Sequence, residues 1–420
     1  MDSFIIRKSG KLRGKVSISG AKNAMLPLMA ASILAEGKSV FDNIPDLRDR
    51  RTMAQLLDML GVKIEFSGSR LTADASRIES EEAPYSLVKQ MRASIYVLAP
   101  LLARQGHARV SLPGGCAWGP RPIDQHLKGL TALGARIKID HGYIEASAEK
   151  LRGTEIILSV PSVGATVNIM MAAVLAEGKT VIENAAREPE IVNLADALKQ
   201  SGAVISGAGS STIDIEGVRE IKPIKAAVIP DRIEAGTFAA AAVITGGSLQ
   251  IHDCRPDHLH AVIQKLKECG AHVEEGNRSL TVTGPSEKTA AVDVDTGYYP
   301  SFPTDMQAQI MAVLCLTDGS STVVENIYAD RFSHVPELNR LGAKIHVDGN
   351  IAVVKGVHRL EGAPVMATDI RASSALILAG LVADGETKIL RIYHIDRGYE
   401  RIEEKLRALG ADIERVKEDH

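Results

Sequence analysis

A chain of 420 residues, 45% hydrophobic and 24% charged, holds material for two or three domains of ordinary size, each with a core of its own. Its formal charge of −3 provides no overall field for nucleic acid or anionic lipid, so an anionic ligand must be met by locally placed Arg and Lys, and a small partner is favoured over a polymer. The opening MDSFIIRKSGKLRG lacks the apolar core of a signal peptide, no apolar run approaches the roughly 20 residues of a membrane span, and Cys116, Cys254, Cys269 and Cys315 show no paired spacing, so a soluble, cytoplasmic protein in a reducing compartment is expected.

Along the chain one pattern is written six times. Residues 1–20 supply a strand in KVSISG, and AMLPLMAASILA at 24–35, free of charge, reads as a helix buried on every side. Gly37 stops it, SVFDNI reads as a strand, and Met53, Leu56, Leu57 and Leu60 mark one face of a half-exposed second helix. Gly61 provides the left-handed residue of a helix C-cap, and LGVKIEF begins a strand pair that returns the chain. The unit is α-β-α-β-β. Later copies carry the first glycine at Gly106, Gly178, Gly246, Gly319 and Gly385, and the second at Gly134, Gly202, Gly270, Gly342 and Gly410. From Gly61 onward the second glycines recur at intervals of 73, 68, 68, 72 and 68 residues.

All-apolar helices must lie inside something, and the amphipathic helices and sheets are what can cover them. Three units around three buried helices make one domain. Six units make two, an α/β protein with residues 21–229 as the first three-unit domain and residues 1–20 plus 230–420 as the second. The N-terminal strand, KVSISG included, is expected to pair with the sheet of the last unit.

Polarity concentrates just before each buried helix, at Lys22 with Asn23, Lys89 with Arg92, Ser162 with Thr166, Asp231 with Arg232 and Glu234, Asp305, and Asp369 with Arg371. Helix N-termini carry unpaired N–H groups and partial positive charge, so together these entrances suit an anion, while singly Asp231, Glu234 and Thr166 read equally well as caps. The second unit departs from the others. Its SLPGGCAWGPRPIDQH, residues 111–126, lengthens the connection and sets Cys116 between glycines, close to Arg121, where a thiol is hard to shield and its reactivity is raised. Cys269 and Cys315 fall on apolar helical faces and read as core. HDCRPDHLH at 252–260 has metal-binding residue types without a metal site's spacing and is read as structural. No P-loop and no G-x-G-x-x-G after a strand is present.

SGAKNA (19–24), MRAS (91–94), LPGGCAWGPRP (112–122), SVGAT (162–166), ENAAREPEI (183–191), DRIEAGT (231–237), FPTDMQAQ (302–309), ATDIRAS (367–373) and RIYHIDRGYERI (391–402) together resemble the family of UDP-N-acetylglucosamine enolpyruvyl transferases. The resemblance spans nearly the whole chain. It implies two domains of inside-out α/β barrel type and the first committed step of peptidoglycan synthesis, with phosphoenolpyruvate and UDP-N-acetylglucosamine as partners and no metal or cofactor. It assigns the donor's phosphate and carboxylate to Lys22, Arg121 and Arg397, matching arginine's preference for anions. Asp305 corresponds to the base for the sugar 3-hydroxyl, and Cys116 to the acid that protonates C3 and can add covalently to the donor. Sugar-nucleotide contacts fall to Asn23, Arg92, Arg121, Pro122, Ile123, Asp124, Gln125, Val160, Pro161, Ser162, Val163, Asp305 and Ile327, and Arg331, Asp369 and Arg371 are further substrate-binding residues. Val160 stands where some relatives place Lys. Closure of the 112–122 loop over substrate is expected to exclude water. Two other readings are weighed: an enolpyruvyl-shikimate-phosphate synthase, against which the cysteine loop argues, and a non-catalytic repeat scaffold, which would need neither charged helix entrances nor that loop.

Overall fold

The computed structural model describes residues 2–89, 91–112 and 123–417, without the side chain of Arg92. The chain forms two compact units, a continuous one, Gly20–Ile229, and a split one, Met1–Ser19 with Pro230–His420. Each has its own hydrophobic core.

In the continuous unit the buried helices are Lys22–Ala31, Leu98–Gln105 and Val163–Ala173, and in the split unit Arg232–Thr245, Gln307–Leu314 and Ile370–Gly380. Beyond their first turns these helices are mostly small and aliphatic, which is why they can be enclosed, although Leu98–Gln105 emerges at its C-terminal end, where Arg104 is half-buried and Gln105 exposed. In Ile370–Gly380 the side chains of Leu376, Ile377 and Leu378 are buried, each contributing roughly 1.5–3 kcal/mol relative to exposure. Among the described residues, three four-stranded sheets cover the helices of each unit. The third sheet is representative: Glu155–Ile157 runs parallel to Lys179–Glu183, which pairs antiparallel with Thr212–Glu216, and Val204–Ser206 forms the edge. Thr180 and Ile182 point inward while Lys179 faces out, the alternation of a sheet with one solvated face.

The repeat therefore carries one more strand than its sequence pattern shows, a parallel strand leading into each buried helix. In five cases it is only two or three residues long, Glu82–Ala83, Glu155–Ile157, Lys225–Ala227, Val294–Asp295 and Pro364–Met366, too short to show a period. The N-terminal pairing also differs from expectation. Arg13–Ser17, which overlaps the start of KVSISG, runs parallel to Ser248–His252 of the fourth unit, and it is Asp2–Arg7 that enters the last sheet, between Glu386–Leu390 and Asp412–Lys417. The sixth repeat ends after a single return strand, so its sheet has an open central position, which Asp2–Arg7 fills while burying Phe4 and Ile6. Conversely Lys225–Ala227, which precedes the fourth buried helix, lies parallel to Lys38–Asp42 of the first unit.

The first glycine of every repeat has φ between 60° and 120°, and the second between 90° and 106°. Residues with a Cβ rarely adopt this region, which explains why glycine recurs at both stops. Among the described residues no helix is long and apolar enough to cross a membrane.

Candidate active site

Asp305 lies in the 3-10 turn Thr304–Met306, at the mouth of the helix Gln307–Leu314. Two arginines from other elements grip its carboxylate: Arg331 Nη2 donates to Oδ1 and Arg371 Nη2 to Oδ2, both at 2.7 Å. Both arginines are buried. Burial opposes the charge on Arg371, but Asp305, Tyr399 and Asp231 together outweigh it and its pKa is raised, so the guanidinium stays charged. Arg331 is oriented in turn, since its Nη1 donates to Thr304 Oγ1, which donates to Glu325 Oε2. The other Glu325 oxygen accepts from Thr296 Oγ1 and from the backbone N–H groups of Ile327 and Tyr328. Asp305, Ile327 and Arg331 thus share one buried carboxylate as a common support.

Asp369 caps the helix Ile370–Gly380 by accepting from the backbone N–H of Arg371 and Ala372, and its other oxygen accepts from Ser333 and Thr368. Through that cap it sets where Arg371 begins. Beside it Tyr399, buried, meets Thr237 Oγ1 at 2.8 Å and accepts from Gln309 and Arg371, so the entrances of all three buried helices of the split unit join in one polar network. Arg397 ends the 3-10 helix Ile392–Arg397, and the next residue, Gly398, is packed so closely on Ile370 that a Cβ there would lie 2.7 Å from its Cγ2. Asp305, Ile327, Arg331, Asp369, Arg371 and Arg397 are therefore gathered on the split unit.

Lys22 and Asn23 open the helix Lys22–Ala31 of the continuous unit. The approach is fixed from both sides. Ala21 N donates to Ile229 O, while Ser19, three residues before Lys22, donates its N–H to buried Glu234 at 2.7 Å and receives Lys405 Nζ at its hydroxyl. Lys405 also pairs with Glu234 at 2.6 Å. Burial raises the pKa of Glu234 against the pull of Lys405. Asp231 caps its own helix from Oδ1, the role considered for it, whereas Thr166, inside its helix, instead accepts from Ala186 N. Ser162 likewise caps Val163–Ala173.

Ile123, Asp124 and Gln125 start the helix Asp124–Ala132. Gln125 accepts from Ser159 N and donates to Asp124 and Ser159 Oγ, bringing that start beside Val160, Pro161, Ser162 and Val163. Arg92 opens the 3-10 helix Arg92–Val97. Cys116, Arg121, Pro122 and the rest of the 113–122 loop lie outside the described residues. Cys254, Cys269 and Cys315 are buried, and burial pushes their thiols up to about 11, 12 and 12.

Sequence reasoning left out Glu325, Tyr399, Gln309 and His126. Only the last stood next to a residue already singled out. His126 Nδ1 accepts from Asn168 at 2.7 Å, its Nε2 side abuts Gly164, and burial pulls its pKa down to about 4. The unfolded chain takes up this proton near pH 6.5, whereas the folded one holds it off until about pH 4. The stability contributed is complete above pH 6.5 and declines as pH falls from there to about 4, reaching a loss of about 3 kcal/mol. Urea midpoints measured from pH 7 to pH 4 should fall accordingly, and His126→Gln should flatten that decline. An unchanged slope in the variant would assign the proton uptake elsewhere.

Residues 6–406 match the family described as EPSP synthase (3-phosphoshikimate 1-carboxyvinyltransferase). A curated relative from Geobacter metallireducens named UDP-N-acetylglucosamine 1-carboxyvinyltransferase is 55% identical over 418 residues, 100% of both chains. One of the same name from Trichlorobacter lovleyi is 55% identical over 419 residues, again 100% of both. Among solved structures, the enolpyruvyl transferase NikO from Streptomyces tendae superposes with a TM-score of 0.90 at 25% identity over 99% of each chain. An EPSP synthase from Acinetobacter baumannii gives 0.74 at 18% identity, over 99% of this chain and 100% of that one, a likeness of fold.

Proposed function

Because the chain belongs to the UDP-N-acetylglucosamine 1-carboxyvinyltransferase family, we propose that it transfers the enolpyruvyl group of phosphoenolpyruvate to the 3-hydroxyl of UDP-N-acetylglucosamine, releasing phosphate. In this reading Lys22, Arg121 and Arg397 hold the anionic donor, and the sugar-nucleotide lies against Asn23, Arg92, Pro122 to Gln125 and Val160 to Val163. The sugar oxygen attacks C2 of the donor and gives its proton to Asp305, while Cys116 protonates C3. Loss of a C3 proton and departure of phosphate from the tetrahedral intermediate then restore the double bond. The observation that carries the reading is Asp305 clamped between two buried guanidinium groups at 2.7 Å. Such a clamp fixes the carboxylate's direction before substrate arrives. Membership of this family supports a cytoplasmic enzyme acting at the first committed step of peptidoglycan synthesis.

The test is phosphate release from phosphoenolpyruvate with each acceptor in turn. Release is expected with UDP-N-acetylglucosamine and not with shikimate 3-phosphate, and the opposite preference would move the chain to the shikimate branch. On the same preparation, an epoxide phosphonate such as fosfomycin should add once, at Cys116, because the three buried thiols stay protonated at neutral pH. Uniform labelling of all four cysteines, or of none, would count against an active-site thiol and favour the scaffold.

A further inference from the structure

The segment that carries Arg397 is bounded by Arg391 and Arg401, both left-handed at φ 59° and 46°. Neither is glycine, so surrounding contacts rather than local preference hold this stretch in place. Much of that hold comes from one residue on the last strand. Arg415, in Asp412–Lys417, donates Nη2 to Asp396 Oδ1 at 2.6 Å and Nη1 to Asp396 Oδ2 at 3.1 Å, a two-pronged pair. Its Nε donates to Glu403 Oε1 at 2.7 Å, and Nη1 also reaches Asp2 Oδ2 at 3.3 Å. Its guanidinium lies 5.1 Å from the centre of the Phe4 ring. Asp396 immediately precedes Arg397, and Glu403 stands in the first turn of the next helix, Ile402–Ala408. One guanidinium therefore ties both sides of the Arg397 segment to the N-terminal strand.

We propose that Arg415 is a positioning residue for Arg397, holding the 392–397 turn where the Arg397 guanidinium can meet the phosphoenolpyruvate anion. The proposal rests on the assignment of Arg397 to that substrate made above. Lysine at 415 keeps the charge but loses the fork that spans both Asp396 oxygens. Arg415→Lys is accordingly expected to raise the KM for phosphoenolpyruvate about tenfold, leaving the KM for UDP-N-acetylglucosamine and kcat within about twofold, because a small misplacement of an anchoring group is felt by the ligand it anchors. Asp396→Asn should reproduce the effect, and the double variant should be no worse than either single one, as expected for two residues acting through one contact.

Arg397→Met serves as the reference. If it raises the KM for phosphoenolpyruvate while Arg415→Lys and Asp396→Asn do not, Arg415 has no positioning role and the proposal falls alone. If Arg397→Met leaves that KM unchanged, the assignment of Arg397 fails and the proposal with it. Equal rises in both substrates' KM, or additive effects of the two substitutions, would indicate general loosening of the unit and would also overturn it. Thermal melts of each variant identify any that fail to fold, and Asp396→Asn carries the test if Arg415→Lys is among them.

Discussion

Asp305→Asn is expected to lower UDP-N-acetylglucosamine-dependent phosphate release about a thousandfold and to cost about 3 kcal/mol of stability at the same time. Asparagine keeps one acceptor oxygen but turns the other into an NH2 group, which must face a guanidinium nitrogen that sits 2.7 Å from the native oxygen. Arg331 and Arg371 are 8% and 5% exposed, so water cannot replace the negative charge the two buried cations lose. The catalytic loss has a separate origin, because an amide cannot take the proton of the sugar hydroxyl. Steady-state assays at saturating substrate measure the first effect and urea melts the second. A variant with a tenth or more of normal kcat would remove Asp305 from proton transfer, and an unchanged midpoint would show that the paired arginines are solvated after all.

Gly20→Ala should be nearly as damaging, although Gly20 touches no substrate in the proposed reaction. A Cβ at this position would stand 1.9 Å from the carbonyl oxygen of Asn43 and 3.2 Å from Pro45 Cδ. The obstacle is backbone and cannot rotate away. Asn43 is itself left-handed at φ 58°, and its side chain donates to Val228 O at 2.8 Å, so the opposing turn is tied at two levels. Relief requires movement of residues 19–21, with a cost of about 2–3 kcal/mol as for other overpacked sites. Lys22 follows two residues later, so a displacement approaching 1 Å is expected to cut kcat/KM for phosphoenolpyruvate about a hundredfold. Melts and kinetics on the alanine variant check both parts. Normal behaviour in both would mean that the 19–21 backbone yields freely.

Much of the candidate site was legible because its residues stand at repeated places, each just ahead of an uncharged helical run. Asp305 and Arg371 could be picked out from that position alone. Their mutual contact could not, since Arg371 is 66 residues from Asp305 and Arg331 is 26, and nothing local says which charges will meet. Glu325 illustrates the limit well. TVVENI and TVIENA look equivalent, yet Glu325 is fully enclosed and braces four neighbours, whereas Glu183 at the matching place is half-buried. The same holds for Tyr399 and Gln309, which read as ordinary members of their segments until the helix entrances are brought together.

What the sequence determined by itself are the properties that reside within a few consecutive residues. These are the six repeats, the nearly uncharged helical runs that had to be interior, and the glycine stops, all twelve of which have positive φ. Tertiary structure alone decided that Asp2–Arg7 completes the last sheet and Arg13–Ser17 the fourth, and that Asp305 and Asp396 are held by arginines from distant elements. Helical periodicity and left-handed backbone are local requirements that a residue type must meet wherever it lies. Strand partners and ion pairs depend instead on the distance between elements far apart in the chain, and a strand of two or three residues carries too little pattern to specify its neighbour.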